Sequence, residues 1–288
     1  MSELTRRVLA AVVAAPIAIA AIWWGDAFLT TLLAIMAAVG AWEFYRLASQ
    51  SGTRPLVPLG VVLSPLVPLA VHAHYLGVMR FPLALVPLLA IAVLAVSIWW
   101  CGVQGHPLAA VSATVFGVLY TGGTLSFAYV LRYHNYAVGP TAGALMVVFP
   151  LFLTWASDIG AYFTGRLVGG PRLMPSVSPG KTISGAVGGL LFTVVAAWAM
   201  MHWWLTPYAQ LAFTPRGLLL VGVLTSAVAQ TGDLAESLLK REAGVKDSGV
   251  FFPGHGGVLD RLDSLFFVLP VMYFLYSWLL VPVPVIVR

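Results

Sequence analysis

Between Thr231 and Ser264 the chain reads TGDLAESLLKREAGVKDSGVFFPGHGGVLDRLDS. This stretch holds six of the ten acidic residues and four of the fifteen Lys/Arg in a chain of 288. Asp233, Glu236, Ser237 and Lys240 recur at i, i+3, i+4 and i+7, which places them on one face of a helix. Asp233 and Glu236 are hard oxygen ligands of the kind Mg²⁺ prefers, and Mg²⁺ commonly binds substrate phosphate as well. An ion-pair set that ties helices together would use the same residues, so the spacing alone leaves both readings open. Asp260, Arg261, Asp263 and Ser264 then open the next apolar run. An acid at a helix N-terminus gains roughly 0.3–1 kcal/mol from the macrodipole. That accounts for one Asp, but not for a second acid, an Arg and a glycine-rich turn upstream.

That turn is Pro253-Gly254-His255-Gly256-Gly257. Its glycines permit positive φ and close backbone approach, and successive amides in such a turn can form an anion-binding nest. His255 can donate to phosphate, act as an acid or simply fill space. An earlier polar stretch carries Asp158, Arg166, Arg172 and Ser178-Pro179-Gly180-Lys181-Thr182. Its Gly-Lys-Thr suggests a phosphate-binding loop of the P-loop kind. That motif needs glycine at position 175, where Pro175 stands, and no strand is expected ahead of it. The expectation is instead Ser178 as a helix cap, Pro179 in the first turn and Lys181 near the positive end of the helix, a place suited to phosphate. Asp158 suits the same site or a buried bond between helices.

Together these segments offer carboxylates for a divalent metal and many cations for phosphate oxygens. The acids are Asp158, Asp233, Glu236, Asp247, Asp260 and Asp263; the bases are Arg166, Arg172, Lys181, Lys240, Arg241, Lys246 and Arg261. This is the equipment of phosphoryl or nucleotidyl transfer. No defensible Ser-His-Asp spacing and no HExxH is present. The single cysteine, Cys101, excludes an intrachain disulfide and a thiolate metal cluster.

The elements that must position these groups are membrane helices. The chain is 60% hydrophobic and only 9% charged, against about 25% charged for soluble domains. The expected fold is all-α: a polytopic integral membrane protein of about nine transmembrane helices. Apolar runs of suitable length fall near 8–24, 29–47, 56–73, 82–101, 109–131, 143–163, 183–204, 217–239 and 264–282. The first, with Trp23 and Trp24 at its end, reads as a retained span rather than a secretory leader. Prolines 58, 65 and 68 interrupt the third, and Thr121-Gly122-Gly123-Thr124 the fifth. With the N-terminus cytoplasmic, eleven Lys/Arg fall inside against four outside, a positive-inside bias. Loops 164–182 and 240–263 then face the cytoplasm; without them the tally is four against four, so orientation rests on those loops. Five spans over 1–142 and a catalytic membrane region over 143–288 are the expected divisions. The bases are not gathered on a soluble domain, which excludes nucleic acid as a partner.

The run Ser237-Leu-Leu-Lys240-Arg241, Lys246-Asp247, Pro253-Gly254-His255-Gly256-Gly257 and Asp260-Arg261-Leu262-Asp263 closely resembles the signature of the phosphatidate cytidylyltransferases. Asp158, Ala161-Tyr162, Gly165-Arg166 and Ser178 to Thr182 resemble the same family. The first five spans match only in general character, and Gly180 stands where many relatives carry Lys. The resemblance implies that CTP and phosphatidic acid give CDP-diacylglycerol and pyrophosphate. It also implies a need for Mg²⁺, alone or with a second cation. It maps the metal-binding acids onto Asp233 and Asp260, and assigns family positions of less certain role to Asp247 and Asp263. It implies a multi-pass protein of the bacterial inner membrane with a cytoplasmic active site, fed with lipid from the cytoplasmic leaflet. Lys181, Thr182, Ser237, Arg241, Lys246, Gly256, Gly257 and Arg166 would bind substrate, while Lys240, Arg261 and His255 would assist the reaction.

A secondary transporter for an anionic solute also uses polar residues and Gly/Pro breaks in its spans. The charges here concentrate on one side, however, and no inverted repeat is visible. A CDP-alcohol phosphotransferase needs a longer acidic pattern, of which Asp260-x-x-Asp263 is a fragment. A membrane scaffold has no use for an acidic, glycine-rich loop. Gly185, Gly188 and Gly189 can serve packing within the fold or across a homodimer.

Overall fold

In a computed structural model, residues 3–80, 85–252 and 256–283 are described, with side chains from Val12 onward. His255, Pro253, Gly254, Arg288 and the start of the fourth expected span lie outside the described residues. Long apolar stretches fold as helices because a helix satisfies its own backbone groups, as the bilayer interior demands. The helices are α1 Glu3–Trp24, α2 Asp26–Gln50, α3 Val57–Tyr75, α4 Leu85–Trp100, α5 Pro107–Arg132, α6 Gly139–Val168, α7 Ile183–Ala209, α8 Pro215–Glu242 and α9 Leu259–Leu279. Seven of them are long and apolar enough to cross a membrane; α4 and the Val12–Trp24 part of α1 are shorter apolar helices.

Four short strands depart from a purely helical pattern. Strands β1 (Arg172–Met174) and β2 (Ser178–Thr182) form an antiparallel hairpin, and β3 (Leu211–Phe213) pairs with β4 (Leu280–Pro282). The hairpin corrects the expectation of a helix beginning at Ser178 and of no strand near Lys181. Pro179 fits an extended backbone as readily as a helical first turn, and pairing with β1 selects the strand. The cap of α7 is Thr182, whose hydroxyl accepts from the Gly185 N–H at 3.1 Å. Helix α9 begins at Leu259, so Asp260 and Asp263 lie in its first turns, as expected of acids at a helix N-terminus.

The chain divides into two compact units, Met1–Tyr129 with Leu238–Leu262, and Val130–Ser237 with Asp263–Arg288. The 240–258 loop thus groups with the N-terminal helices. In the first unit Tyr45, fully buried, lies where a Cβ on Gly60 or Gly117 would collide with its ring, and its hydroxyl donates to the Thr114 carbonyl at 2.8 Å. Helices α2, α3 and α5 approach closely at these glycines. The Leu119–Gly123 part of α5 is a π-helical turn, and a Cβ at Gly122 would strike the Ser64 carbonyl of α3. The small residues noted in the sequence therefore serve contact between helices.

In the second unit small residues bring α6, α7 and α8 together. Gly160 sits against Phe192, Gly188 against Thr164 and Gly222 against Val194. Ser157 and Ser226 share a buried hydrogen bond of 2.7 Å between α6 and α8. Gly185, Gly188 and Gly189 are all buried inside this unit, so they do not supply a face for a homodimer. Polar contacts between spans are each modest, about 0.6 kcal/mol on average. The close approach that the glycines permit is what fixes the geometry.

Candidate functional site

In the second unit a cavity of ≈ 540 Å³ opens where α6, the β1–β2 hairpin, α7 and α8 converge. Asp158, Tyr162 and Arg166 reach it from α6, one helical face read at i, i+4 and i+8. Arg172 comes from β1, Gly180 to Thr182 from β2, and Gln230 and Asp233 from α8. The hairpin places Lys181 one residue ahead of the Thr182 cap, close to the positive end of α7. Lys181 Nζ lies 2.5 Å from Asp233 Oδ2, with side chains 26% and 32% exposed. The Asp233 side chain stays open to the cavity, whereas the Lys181 ammonium nitrogen is itself buried. With one member still open to solvent, the pair contributes less to stability than a sealed one.

The remaining cations of the cavity are aimed by local bonds. Arg166 Nη1 donates to the Tyr162 hydroxyl at 2.7 Å, and Arg172 Nη1 to the Gly180 carbonyl at 3.3 Å. Both arginines keep donors in reserve, since a guanidinium carries five N–H groups. Asp158 is exposed and lines the cavity, so it is not a buried link between helices. Gln230 was not among the sequence candidates. Its Nε2 donates to the Ala186 carbonyl at 3.1 Å and to Ser226 Oγ at 3.0 Å. A carbonyl only accepts, so this contact fixes the amide orientation. Three cations, two carboxylates and a helix N-terminus around one cavity make a receptor for a polyphosphate with a divalent cation.

Further along α8, Glu236 is fully buried, and Ser237 Oγ lies 3.5 Å from Asp233 Oδ1. Asp263 Oδ1 accepts from the Ser264 N–H at 2.6 Å, and Ser264 Oγ donates to the Ala229 carbonyl at 3.0 Å.

The first unit holds the other half of the sequence candidates in a different arrangement. Asp260 accepts four hydrogen bonds. Lys240 Nζ reaches Oδ1 at 2.7 Å; the Ser248 N–H, Ser248 Oγ and the Gly257 N–H each reach Oδ2 at 2.8 Å. The Lys240 and Asp260 side chains are only 13% and 5% exposed. Gly256 adopts φ 83°, and its carbonyl accepts from the Phe252 N–H at 2.9 Å. A Cβ at Gly256 would collide with Asp260, so both its φ and its closeness require glycine. The anions these amides hold are the protein's own: Asp260 takes Gly257 and Ser248, while the Leu259 N–H goes to Glu43 Oε2 at 2.9 Å.

Glu43 on α2 also escaped the sequence reading. It is fully buried and additionally faces Ser248 Oγ at 3.2 Å. A lone acid inside the expected 29–47 span was the available signal, because charge within a span is costly and faces the protein interior. Arg241, Lys246, Asp247 and Arg261 are exposed, and Arg241 Nη1 donates to the Val245 carbonyl at 3.3 Å.

For Mg²⁺ the two mapped acids differ. Asp233 is a partly exposed carboxylate on a cavity with room for a hydrated ion and phosphate oxygens, and it fits. Asp260 has three donors on Oδ2 and an ammonium on Oδ1, so a metal ion reaches it only where Lys240 gives way. Among the described residues no cluster of three or more His, Cys, Asp or Glu is assembled for a metal.

A polytopic helical membrane protein with a cationic, carboxylate-flanked cavity belongs to the class that handles phosphorylated substrates at a membrane. The chain belongs to the cytidylyltransferase family, whose pattern matches residues 5–279. It is 32% identical to a phosphatidate cytidylyltransferase of Synechocystis over 97% of this chain and 98% of that one. It is 35% identical to the Brucella suis protein of the same name, over 95% and 93% of the two chains. A Haemophilus influenzae protein of that name is 42% identical over 52% of each chain.

Proposed function

We propose that this protein transfers the cytidylyl group of CTP to phosphatidic acid, giving CDP-diacylglycerol and pyrophosphate. The observation that carries the reading is the cavity of Arg166, Arg172, Lys181, Asp158 and Asp233 in a chain that matches cytidylyltransferases along almost its whole length. A phosphate oxygen of the lipid attacks the α-phosphorus of CTP. The bond from that phosphorus to the oxygen bridging the β-phosphorus breaks, and pyrophosphate leaves with the electron pair. The nucleophile is already an anion, so the protein need not supply a strong base. Its tasks are alignment and neutralisation of charge.

Arg166, Arg172 and Lys181 take phosphate oxygens within the cavity. Lys181 is drawn from Asp233 onto the nucleotide, which leaves Asp233 to hold Mg²⁺. Bound there, the ion would neutralise phosphate oxygens and ease the departure of pyrophosphate. In the other unit, Asp260 is the second acid that the resemblance assigns to metal. The exposed Arg241, Lys246 and Arg261 offer further charge to anionic ligands. The reading includes a bacterial inner membrane, a cytoplasmic site and lipid entering sideways from the cytoplasmic leaflet, since acyl chains leave a bilayer only at high cost.

Detergent-solubilised protein tests this directly. Pyrophosphate release should require CTP, phosphatidic acid and Mg²⁺ together, and ATP or GTP should not replace CTP. A transporter needs a sealed vesicle and would show no such release; that result would end the proposal.

A further inference from the structure

The fully buried Glu43 has no part in the reaction as set out above, and nothing in its own helix explains it. Its buried neighbours on α2 include Phe44, Tyr45 and Leu47. Burying a carboxylate costs several kcal/mol before its partners repay any of it. An apolar side chain of the same size would serve packing better. What Glu43 does contact is specific. Its Oε2 accepts the Leu259 N–H at 2.9 Å and lies 3.2 Å from Ser248 Oγ. These residues lie at the two ends of the loop that wraps Asp260. Two further points of that loop, Gly249 and Gly257, run so close that a Cβ on either would collide with the Glu43 carboxylate. Ser248 also meets Asp260 Oδ2 through both its N–H and its hydroxyl, each at 2.8 Å. The hydroxyl has one hydrogen to give, so Glu43 and Asp260 are joined through a single shared group.

We propose that Glu43 is a positioning residue: it gathers Ser248, Gly249, Gly257 and Leu259 around one buried carboxylate and so fixes the loop that presents Asp260. The proposal rests on the cytidylyl-transfer reading for Asp260's part in catalysis, but the shape of the loop stands independently of it. The acceptor oxygens of Glu43 are what matter, not its bulk. Glu43→Gln keeps an acceptor for Leu259 and Ser248. Glu43→Leu keeps the volume and removes both oxygens.

The test is steady-state kinetics on the full-length protein in detergent, paired with amide hydrogen exchange over residues 245–262. Groups that orient a functional side chain cost about 10–100-fold when removed. Glu43→Leu should therefore lower kcat by about that factor, with KM for CTP changed less than about threefold. Exchange over 245–262 should rise while peptides of α6 and α7 stay protected. Glu43→Gln should recover most of the activity and the protection. Should Glu43→Leu fail to fold, Gly249→Ala pushes on the carboxylate from outside the helix core and should produce the same kcat loss and the same local exchange. A folded Glu43→Leu or Gly249→Ala protein with wild-type kcat and wild-type protection overturns the proposal. A wild-type protein without CTP-dependent turnover, whose Glu43→Leu variant still loosens 245–262, overturns the functional reading and leaves the positioning role intact.

Discussion

The two acids that the family resemblance marks for metal sit in opposite kinds of surroundings. Asp233, partly exposed, shares one contact with Lys181 on the wall of a cavity. Asp260 is almost sealed, with four donors on its two oxygens and the buried Glu43 behind the same loop. The first arrangement can release its partner at less cost, because Asp233 keeps contact with solvent and a partly solvated ion pair contributes less than a sealed one. The second cannot lose a partner cheaply, because a buried carboxylate left unpaired costs far more than its bond contributed. On the proposed reading, the first region exchanges charge with a substrate, and the second holds Asp260 in a fixed place for its part in the reaction.

Substitutions should separate the two regions by what they damage. Lys240→Met strips the ammonium from a buried carboxylate and should destabilise the protein by roughly 3–5 kcal/mol. Thermal unfolding in detergent measures this; an unchanged midpoint would mean that the Asp260 network is looser than its distances indicate. Asp233→Asn should lower kcat by about 10²–10³-fold, the scale of one lost electrostatic contact to a reacting group. Its unfolding midpoint should stay close to wild type, and a folded variant with full activity would remove Asp233 from the reaction. Lys181→Met should cost roughly 10²-fold in kcat/KM for CTP with a smaller loss of stability than Lys240→Met. An effect on unfolding larger than that of Lys240→Met would reverse the comparison. Thr182→Ala removes the hydroxyl that caps α7 and should destabilise by about 1 kcal/mol, with a small rise in KM for CTP as Lys181 loses its footing.

Much of this was readable from the sequence, and the misses have physical causes. The apolar runs announced the helices, because a lipid environment leaves the backbone few other choices. The acidic and glycine-rich segments stood out because charge is so scarce elsewhere. The hairpin holding Lys181 was not legible: Ser178-Pro179 suits a helix start and an extended strand alike, and pairing with Arg172–Met174 decided between them. Glu43 lies about 200 residues before the loop it holds, and no local pattern links it to Ser248 or Leu259. Gln230 carries no signal in the sequence, being one polar residue among several on α8; the folded chain puts it in the cavity wall, bonded to the Ala186 carbonyl. The glycine-rich segment permits an anion-binding nest by its composition, but which anion its Gly257 amide meets, Asp260, is set by the fold.

The central claim, transfer of a cytidylyl group to a lipid phosphate, has one direct measurement. CTP labelled at the α-phosphorus, and in a parallel reaction at the γ-phosphorus, is incubated with purified protein, phosphatidic acid and Mg²⁺, and the lipid is extracted. The account predicts that the α-label enters the lipid phase and the γ-label leaves as pyrophosphate, both lost in Asp233→Asn. Label from the γ-position in the lipid, or no label there from either position, would contradict it.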